Sequence, residues 1–499
     1  MIATAADHGM SRARSATTRP GMAPSSRRGW AADRLRRIMA PGTFARRVAV
    51  DVGALDGARR HRVFLQHRDG VLVHGPTGSG KTWRFAYQLV VDAPGFCLAT
   101  TTKSRDVLAA TLTTRAQCGE IGVFDPENIT GWPDRLRWSI LAGCTDPDTA
   151  IRRAAALAAA MPIEGARNTG YFEGKAATLL RCYLHAAALD ARSVRDVRIW
   201  INSRTSTEAR DILKGIRPDW AAELDETLGN KSNSTGDVVS ACARLLEPLA
   251  SPKLLAAVDV PLPASLDVEA MVTGGANTLY LVSEGTSRSM APFVAALAHE
   301  AEHYLRKDSQ TRPGGRLDPP ARFVLDEMNN VAPLPELPSK MTDTGGRGIN
   351  LWCFAHNQEQ NELRWGRAGG RMLFTSAPAA IILPGLHGED ELASLSRLIG
   401  DREHWQVSHS RGGNSYQAQQ RPIMSGAAIR RMGDDQALLL YRNAAPIQLH
   451  VPTVWTQRRH RRTVTAALNE FDAIVARRTP VPARYRISSG ELTTEATST

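Results

Sequence analysis

The densest chemistry in this sequence lies at Gly75, Pro76, Thr77, Gly78, Ser79, Gly80, Lys81 and Thr82, which fill the pattern of a phosphate-binding loop. The glycines let consecutive backbone N–H groups curl around phosphate oxygens, Lys81 reaches the β and γ oxygens of ATP, and the Thr82 hydroxyl is placed to bind Mg²⁺. Such a loop needs a strand before it and a helix after it. An apolar run at 70–74 and a mixed apolar and polar run at 82–91 supply both. The chain holds only eight lysines, so a chance match is rare.

A nucleotide site of this type also needs an acidic strand end. Phe323, Val324 and Leu325 lead into Asp326 and Glu327, where Asp326 would orient Mg²⁺ through its water shell and Glu327 would polarise the attacking water. Residues 345–349, rich in glycine, then open an apolar run that ends at His356 and Asn357. In a ring ATPase, Arg347 would supply charge to a neighbouring subunit's nucleotide and His356 would sense the γ-phosphate. A solvated arginine in a turn and a strand-end histidine are the plain alternatives, and both stay open.

A rival chemistry sits at His299, Glu300, Ala301, Glu302 and His303, which match the HExxH pattern of a zinc peptidase. No third ligand presents itself downstream except acids such as Glu327. The alternative places both histidines on the polar face of a helix that packs a sheet. Arg458, Arg459, Arg461 and Arg462 surround His460 in a cluster that suits a polyanion or an ordinary solvated face. Trp352, Trp365 and Trp405 read as core or interface aromatics more readily than as stacking surfaces for bases.

The elements that must position these residues read as α/β. Strand-like runs at 96–101, 121–124, 278–282, 322–325, 351–355 and 379–383 alternate with helical periodicity, and residues 148–270 are almost purely helical in pattern. The expected organisation is a basic disordered arm at 1–45, a nucleotide-binding domain at 46–147 and 271–462, an all-α insert at 148–270 and a C-terminal tail at 463–499. A length of 499 residues with 42% hydrophobic and 22% charged residues excludes wholesale disorder, collagen-like repeats and a membrane channel. The net charge is +12, all but eight of the 62 basic residues are arginine, and residues 1–50 hold ten of them against Asp7 and Asp33. Six cysteines without a CxxC pair fit thiols in a reducing cytosol. Arg27 and Arg28 precede no apolar segment, and no run of 18 apolar residues occurs, so neither an export signal nor a transmembrane helix is expected.

Taken as an ordered set, GPTGSGKT (75–82), FVLDE (323–327) with the NNVAPLPELPS that begins two residues on, and GGRGINLWCFAHNQEQNELRWG (345–366) resemble the TraD/TraG family of type IV coupling proteins, including its TraM recognition region. GLHGEDELASLSRLIGDRE (385–403) is similar to a later helix of that family, and the likeness runs with interruptions from about 65 to 445. The resemblance implies a RecA-like P-loop NTPase sheet with an inserted all-α domain, binding ATP and Mg²⁺. It also implies a homo-hexamer whose DNA-stimulated hydrolysis moves conjugative DNA, or a relaxase-bound strand, into a secretion channel with no sequence preference. Lys81 and Thr82 match the family's phosphate and Mg²⁺ positions, Asp326 and Glu327 its acidic pair, and Gln360 a glutamine common after the sensor strand. The sequence departs from the family at His356, where a sensor glutamine is usual, and the arginine finger falls at Gly345 or Arg347. In place of the family's usual N-terminal membrane anchor the expectation here is only the basic arm, and so a cytoplasmic protein that a membrane partner recruits, or whose arm binds anionic lipid or DNA, or a motor that works away from the membrane. The altered sensor also leaves room for a nucleotide-gated recruitment platform with little turnover.

Overall fold

The structure, a computed structural model, describes residues 49–160, 169–203, 207–229, 233–284, 290–334, 336–410, 413–477 and Tyr485. The basic arm expected at 1–45 lies outside the described residues, as does most of the tail beyond 477.

Strands β1 (Ala49–Leu55), β2 (Ala58–Gln66) and β3 (Val71–His74) open the chain, followed by β4 (Cys97–Thr101) and β5 (Ile121–Phe124). A long helical stretch separates these from β6 (Thr278–Val282) and β7 (Ala321–Leu325), then β8 (Ile349–Ala355) and β9 (Ala379–Ile382). β10 (Asp401–Ser410) and β11 (Gly413–Pro422) pair only with each other, and β12 (Gln436–Tyr441) and β13 (Ile447–His450) complete the set. The described residues form two compact units, one of 49–94 with 338–462 and one of 95–337 with 463–477.

In the first unit the strands run in the order β2-β1-β13-β12-β9-β3-β8. β3 lies parallel to both β8 and β9, with His74 opposite Ala355 on one side and Ile382 on the other. The remaining pairs, from β9 out to β2, are antiparallel. All residues of β3, β8 and β9 are buried, which is why they read as unbroken apolar runs, the pattern of strands covered on both faces. β2 reads ARRHRVFLQ and buries Val63 and Leu65 while Arg62, Phe64 and Gln66 between and beside them are less buried, with Arg62 forked onto Asp51 of β1 at 2.9 and 2.7 Å. Alternation of this kind marks an edge strand, and it carries a far weaker signal than the central runs.

The second unit holds the strands β7-β4-β6-β5, parallel throughout, with Leu325 opposite Thr100. Its helices Pro147–Ala160, Thr169–Leu189, Val194–Ser203, Glu208–Lys214, Pro218–Gly229, Asn233–Leu245 and Pro252–Val258 follow one another without a strand. Val194–Ser203 buries Val194, Val197, Trp200 and Ile201, the three-to-four spacing that one helical face requires. Trp200 also donates its indole N–H to Glu208 at 2.9 Å, so the start of the next helix is fixed to it. Near the C-terminus the structure has a twenty-residue helix, Arg458–Arg477. Val464, Ala467, Phe471 and Ile474 form its buried stripe, and Phe471 stacks on Trp132 with ring centroids 5.5 Å apart. The cluster of arginines around His460 forms the first turn and a half of that helix. No helix among the described residues is long and apolar enough to cross a membrane.

Candidate nucleotide-binding site

The loop at 75–82 leaves β3 where the glycines are indispensable. A Cβ on Gly75 would stand 2.8 Å from the Leu383 Cβ and from the Ser79 Oγ, closer than side-chain carbons pack. Gly78 has φ +84°, a left-handed conformation, and nothing within 4 Å of where its Cβ would be. Backbone curvature, and not crowding, therefore selects glycine there, and the loop has open space against it. Residues Thr82–Ala86 continue as a π-helical turn before Tyr87–Val91 settles into an α-helix.

Lys81 is buried, and its Nζ donates to the carbonyls of Gly75 at 2.5 Å and Pro76 at 3.2 Å. The same ammonium lies 3.1 Å from His356 Nδ1. An ammonium has no lone pair, so Nδ1 accepts and the imidazole proton resides on Nε2. Lys81 and His356, 275 residues apart in sequence, are thus in contact. Arg84 straps the loop from behind, donating to Ser79 O at 3.0 Å and Val451 O at 2.6 Å. Its single-residue offset from Trp83, which rests on Trp455 at 4.8 Å, points the two side chains to different neighbours. Sequence reasoning missed Arg84, since only the fold brings Val451 beside it.

In the second unit β7 ends at Leu325, and the two acidic residues follow at once. Asp326 is buried, and its carbonyl accepts from the Thr100 hydroxyl at 2.8 Å. Glu327 has φ +51°, uncommon for a residue with a side chain, and its carbonyl closes the following turn by accepting from Asn330 and Val331 N–H groups. A third carboxylate, which the sequence analysis did not single out, lies nearby at Asp106. Burial pushes the Asp106 carboxyl up to about 7, a rise that neighbouring Asp326 adds to and that the Thr101 hydroxyl at 2.6 Å and the Val107 N–H oppose. Its only sequence trace is its place as the cap of the helix Val107–Arg115.

Arg347 sits at the opposite end of β8 from His356 and pairs with Asp343 at 3.1 Å. Beside it a Cβ on Gly345 would fall 1.8 Å from the Arg68 carbonyl oxygen, which no side-chain adjustment relieves. Gly345→Ala should therefore cost about 3 kcal/mol, read as a lowered urea midpoint, and Gly346→Ala, with open space at its Cβ, should cost far less. In the HExxH segment, on the helix Ala291–Thr311, the buried Glu300 carboxylate is held by Arg152 at 3.1 Å and Arg153 at 3.2 Å. A carboxylate so engaged is not poised to activate a zinc-bound water, and no group of three His, Cys, Asp or Glu among the described residues could hold a metal ion. Of the tryptophans, Trp352 is buried core and Trp405 is exposed.

Residues 320–434 match the family model described as the TraM recognition site of TraD and TraG. The resemblance to the type IV coupling proteins is borne out. No curated protein matches the chain. Among solved structures, the bacterial conjugative coupling protein TrwBdeltaN70 in its unbound monoclinic form is 16% identical over 84% of this chain and 91% of its own, with a TM-score of 0.61. The plasmid coupling protein TrwB in complex with ADP and Mg²⁺ is 16% identical over 78% of this chain and 88% of its own, with a TM-score of 0.59. TrwB with the non-hydrolysable ATP analogue ADPNP gives the same identity and TM-score over 84% and 92%. The likeness establishes the coupling-protein fold, a RecA-like P-loop NTPase sheet with an inserted all-α domain. His356, which contacts the loop lysine through Nδ1, lies within the matched region.

Proposed function

We propose that this chain is a coupling ATPase that uses ATP hydrolysis to move conjugative DNA or nucleoprotein toward a type IV secretion channel. The observation that carries the reading is a phosphate loop whose lysine is drawn in by its own carbonyls and backed by a strand-end histidine. It occurs in a chain whose residues 320–434 match the TraM recognition site. The related TrwB structures, by their titles, hold ADP with Mg²⁺ and ADPNP. Support for the same kind of ligand comes from Gly78, which offers curvature and open space to phosphate, and from the hydroxyl of Thr82, a hard oxygen of the kind Mg²⁺ prefers.

In this reading Gly75 to Thr82 wrap the phosphates, Lys81 neutralises charge on the β and γ oxygens, and Thr82 and Asp326 hold Mg²⁺. Glu327 orients and polarises the attacking water, His356 reports on the γ-phosphate through Lys81, and Arg347 serves the nucleotide of a neighbouring copy in a homo-hexamer. DNA is gripped through its phosphates by arginines, without sequence preference and with strong salt dependence. The remaining partners are a relaxase or secretion-channel protein and a membrane-anchoring protein.

The test is ATP hydrolysis with and without single- and double-stranded DNA at low and moderate salt. Wild type should be stimulated by DNA most strongly at low salt, and Glu327→Gln should lose at least about a hundredfold in turnover while still binding ATP. Turnover indifferent to DNA at low salt would sink the translocase reading. The contact of His356 with Lys81 favours one second reading, a nucleotide-gated recruitment platform, in which tight ATP binding accompanies near-zero turnover under every condition.

A further inference from the structure

The residue that precedes the nucleotide loop is a buried histidine with both ring nitrogens engaged. His74 closes β3, and its Nδ1 lies 2.9 Å from Glu391 Oε1 while its Nε2 lies 3.3 Å from Asn361 Nδ2. The Asn361 amide donates to Nε2, so the imidazole proton sits on Nδ1 and is given to the carboxylate. Asn361, fully buried, belongs to the helix Gln358–Ser376 that follows His356, and Glu391 stands in the first turn of Glu389–Ile399.

The same segment reaches the loop at two more points. Leu383 N–H donates to the His74 carbonyl at 2.8 Å and its side chain packs where a Gly75 Cβ would be, and a Cβ on Gly385 would stand 3.3 Å from the Pro76 ring. Gly385 is in turn held by the Arg430 carbonyl at 3.1 Å. All these contacts come from inside the matched residues 320–434. A buried histidine satisfied on both sides is an ordinary structural feature. What sets this one apart is position, because the carbonyl of the very next residue, Gly75, is the acceptor that draws in Lys81 at 2.5 Å. A shift of the imidazole is carried along the backbone to the atom that holds the loop ammonium.

We propose that His74 is a positioning residue for the nucleotide loop and that Glu391 is the handle by which the helix Glu389–Ile399 of the recognition region sets it. The loop's readiness for nucleotide then depends on where that helix stands, which gives the recognition region a direct mechanical line to the nucleotide. This rests on the nucleotide reading of the loop, so the test includes a readout that needs no ligand.

Hydrogen exchange of residues 75–82 is measured without nucleotide on the full chain, beside MgATP half-saturation, for wild type, Glu391→Leu and Glu391→Gln. Glu391→Leu leaves the Nδ1 proton without an acceptor; exchange in the loop and half-saturation should each rise about tenfold, with a smaller change in turnover at saturation. Glu391→Gln retains an acceptor oxygen and should restore both to within about twofold of wild type. Should Glu391→Leu not fold, Glu391→Asp, which draws the carboxylate back by one methylene, is read in the same way. Loop exchange unchanged in Glu391→Leu, or Glu391→Gln no better than Glu391→Leu, overturns the proposal. A wild-type chain that binds no MgATP removes the nucleotide reading, while the exchange result still decides whether Glu391 positions the loop.

Discussion

Lys81→Ala should cut ATP turnover by about a hundred- to a thousandfold, the usual loss when a positioned cationic donor to a developing oxyanion is removed. The ammonium is buried at the mouth of a tight loop, where three groups converge on it: the Gly75 and Pro76 carbonyls and His356 Nδ1. None of these can replace it, since all are acceptors facing a vanished donor. The fold should survive, because the strap from Arg84 to Ser79 and Val451 is independent of Lys81. Steady-state hydrolysis beside a thermal melt checks both halves. A melt like wild type with turnover lost confirms the role, and turnover within tenfold of wild type removes Lys81 from the chemistry.

The second large effect is on stability, and it concerns the other unit. Glu300→Ala should cost about 3–5 kcal/mol, because it strips the partner from two guanidinium groups, of which Arg153 is fully buried. Arg153 lies 4.5 Å over the Trp138 ring and donates to Ile140 O at 2.7 Å, so it cannot swing out to water. The pair has a pH signature. Burial alone would push the Glu300 carboxyl up, but Arg153 and Arg152 outweigh it and hold it below the ordinary glutamate value. A depressed folded-state value means the contribution is present above the unfolded glutamate value of about 4.3 and is lost as pH falls through the lower folded one. Wild-type stability should therefore drop more steeply below pH about 4 than that of Glu300→Gln, measured by urea unfolding across that range. The same substitution bears on the peptidase alternative, which requires Glu300 as its base.

Much of the fold is legible in the sequence for a simple reason. β3 to β9 are buried along their length, so each had to be an apolar run, and their ends fall within two residues of where the runs begin and stop. The helices Thr169–Leu189 and Ala291–Thr311 show through in the same way, by periodicity. β2, β12 and β13 were not legible. β2 is polar and alternating, and β12 and β13 are short partners whose place depends on pairing with β9 and β1, far away in the chain. The twenty-residue helix Arg458–Arg477 leaves a weak pattern because its stripe of Val464, Ala467, Phe471 and Ile474 is set among arginines at one end and small or mixed residues along the rest.

The candidate site residues divide along the same line. The loop from Gly75 to Thr82 and the pair Asp326 and Glu327 stand out in the sequence because their chemistry depends on backbone curvature and on the place where a strand ends, and both leave local patterns. The contact of Lys81 with His356, the strap of Arg84 on Val451 and the tie of His74 to Glu391 leave none. His74 and Glu391 are separated by 317 residues, and each by itself is one more histidine or one more acid near a helix start. Side chains so far apart are joined only when parallel strands set their register, here His74 against Ala355 and Ile382. Hydrogen bonds reach 3 Å and sequence patterns reach a few turns of helix, so local spacing picks out the loop and the tertiary fold alone decides what holds it.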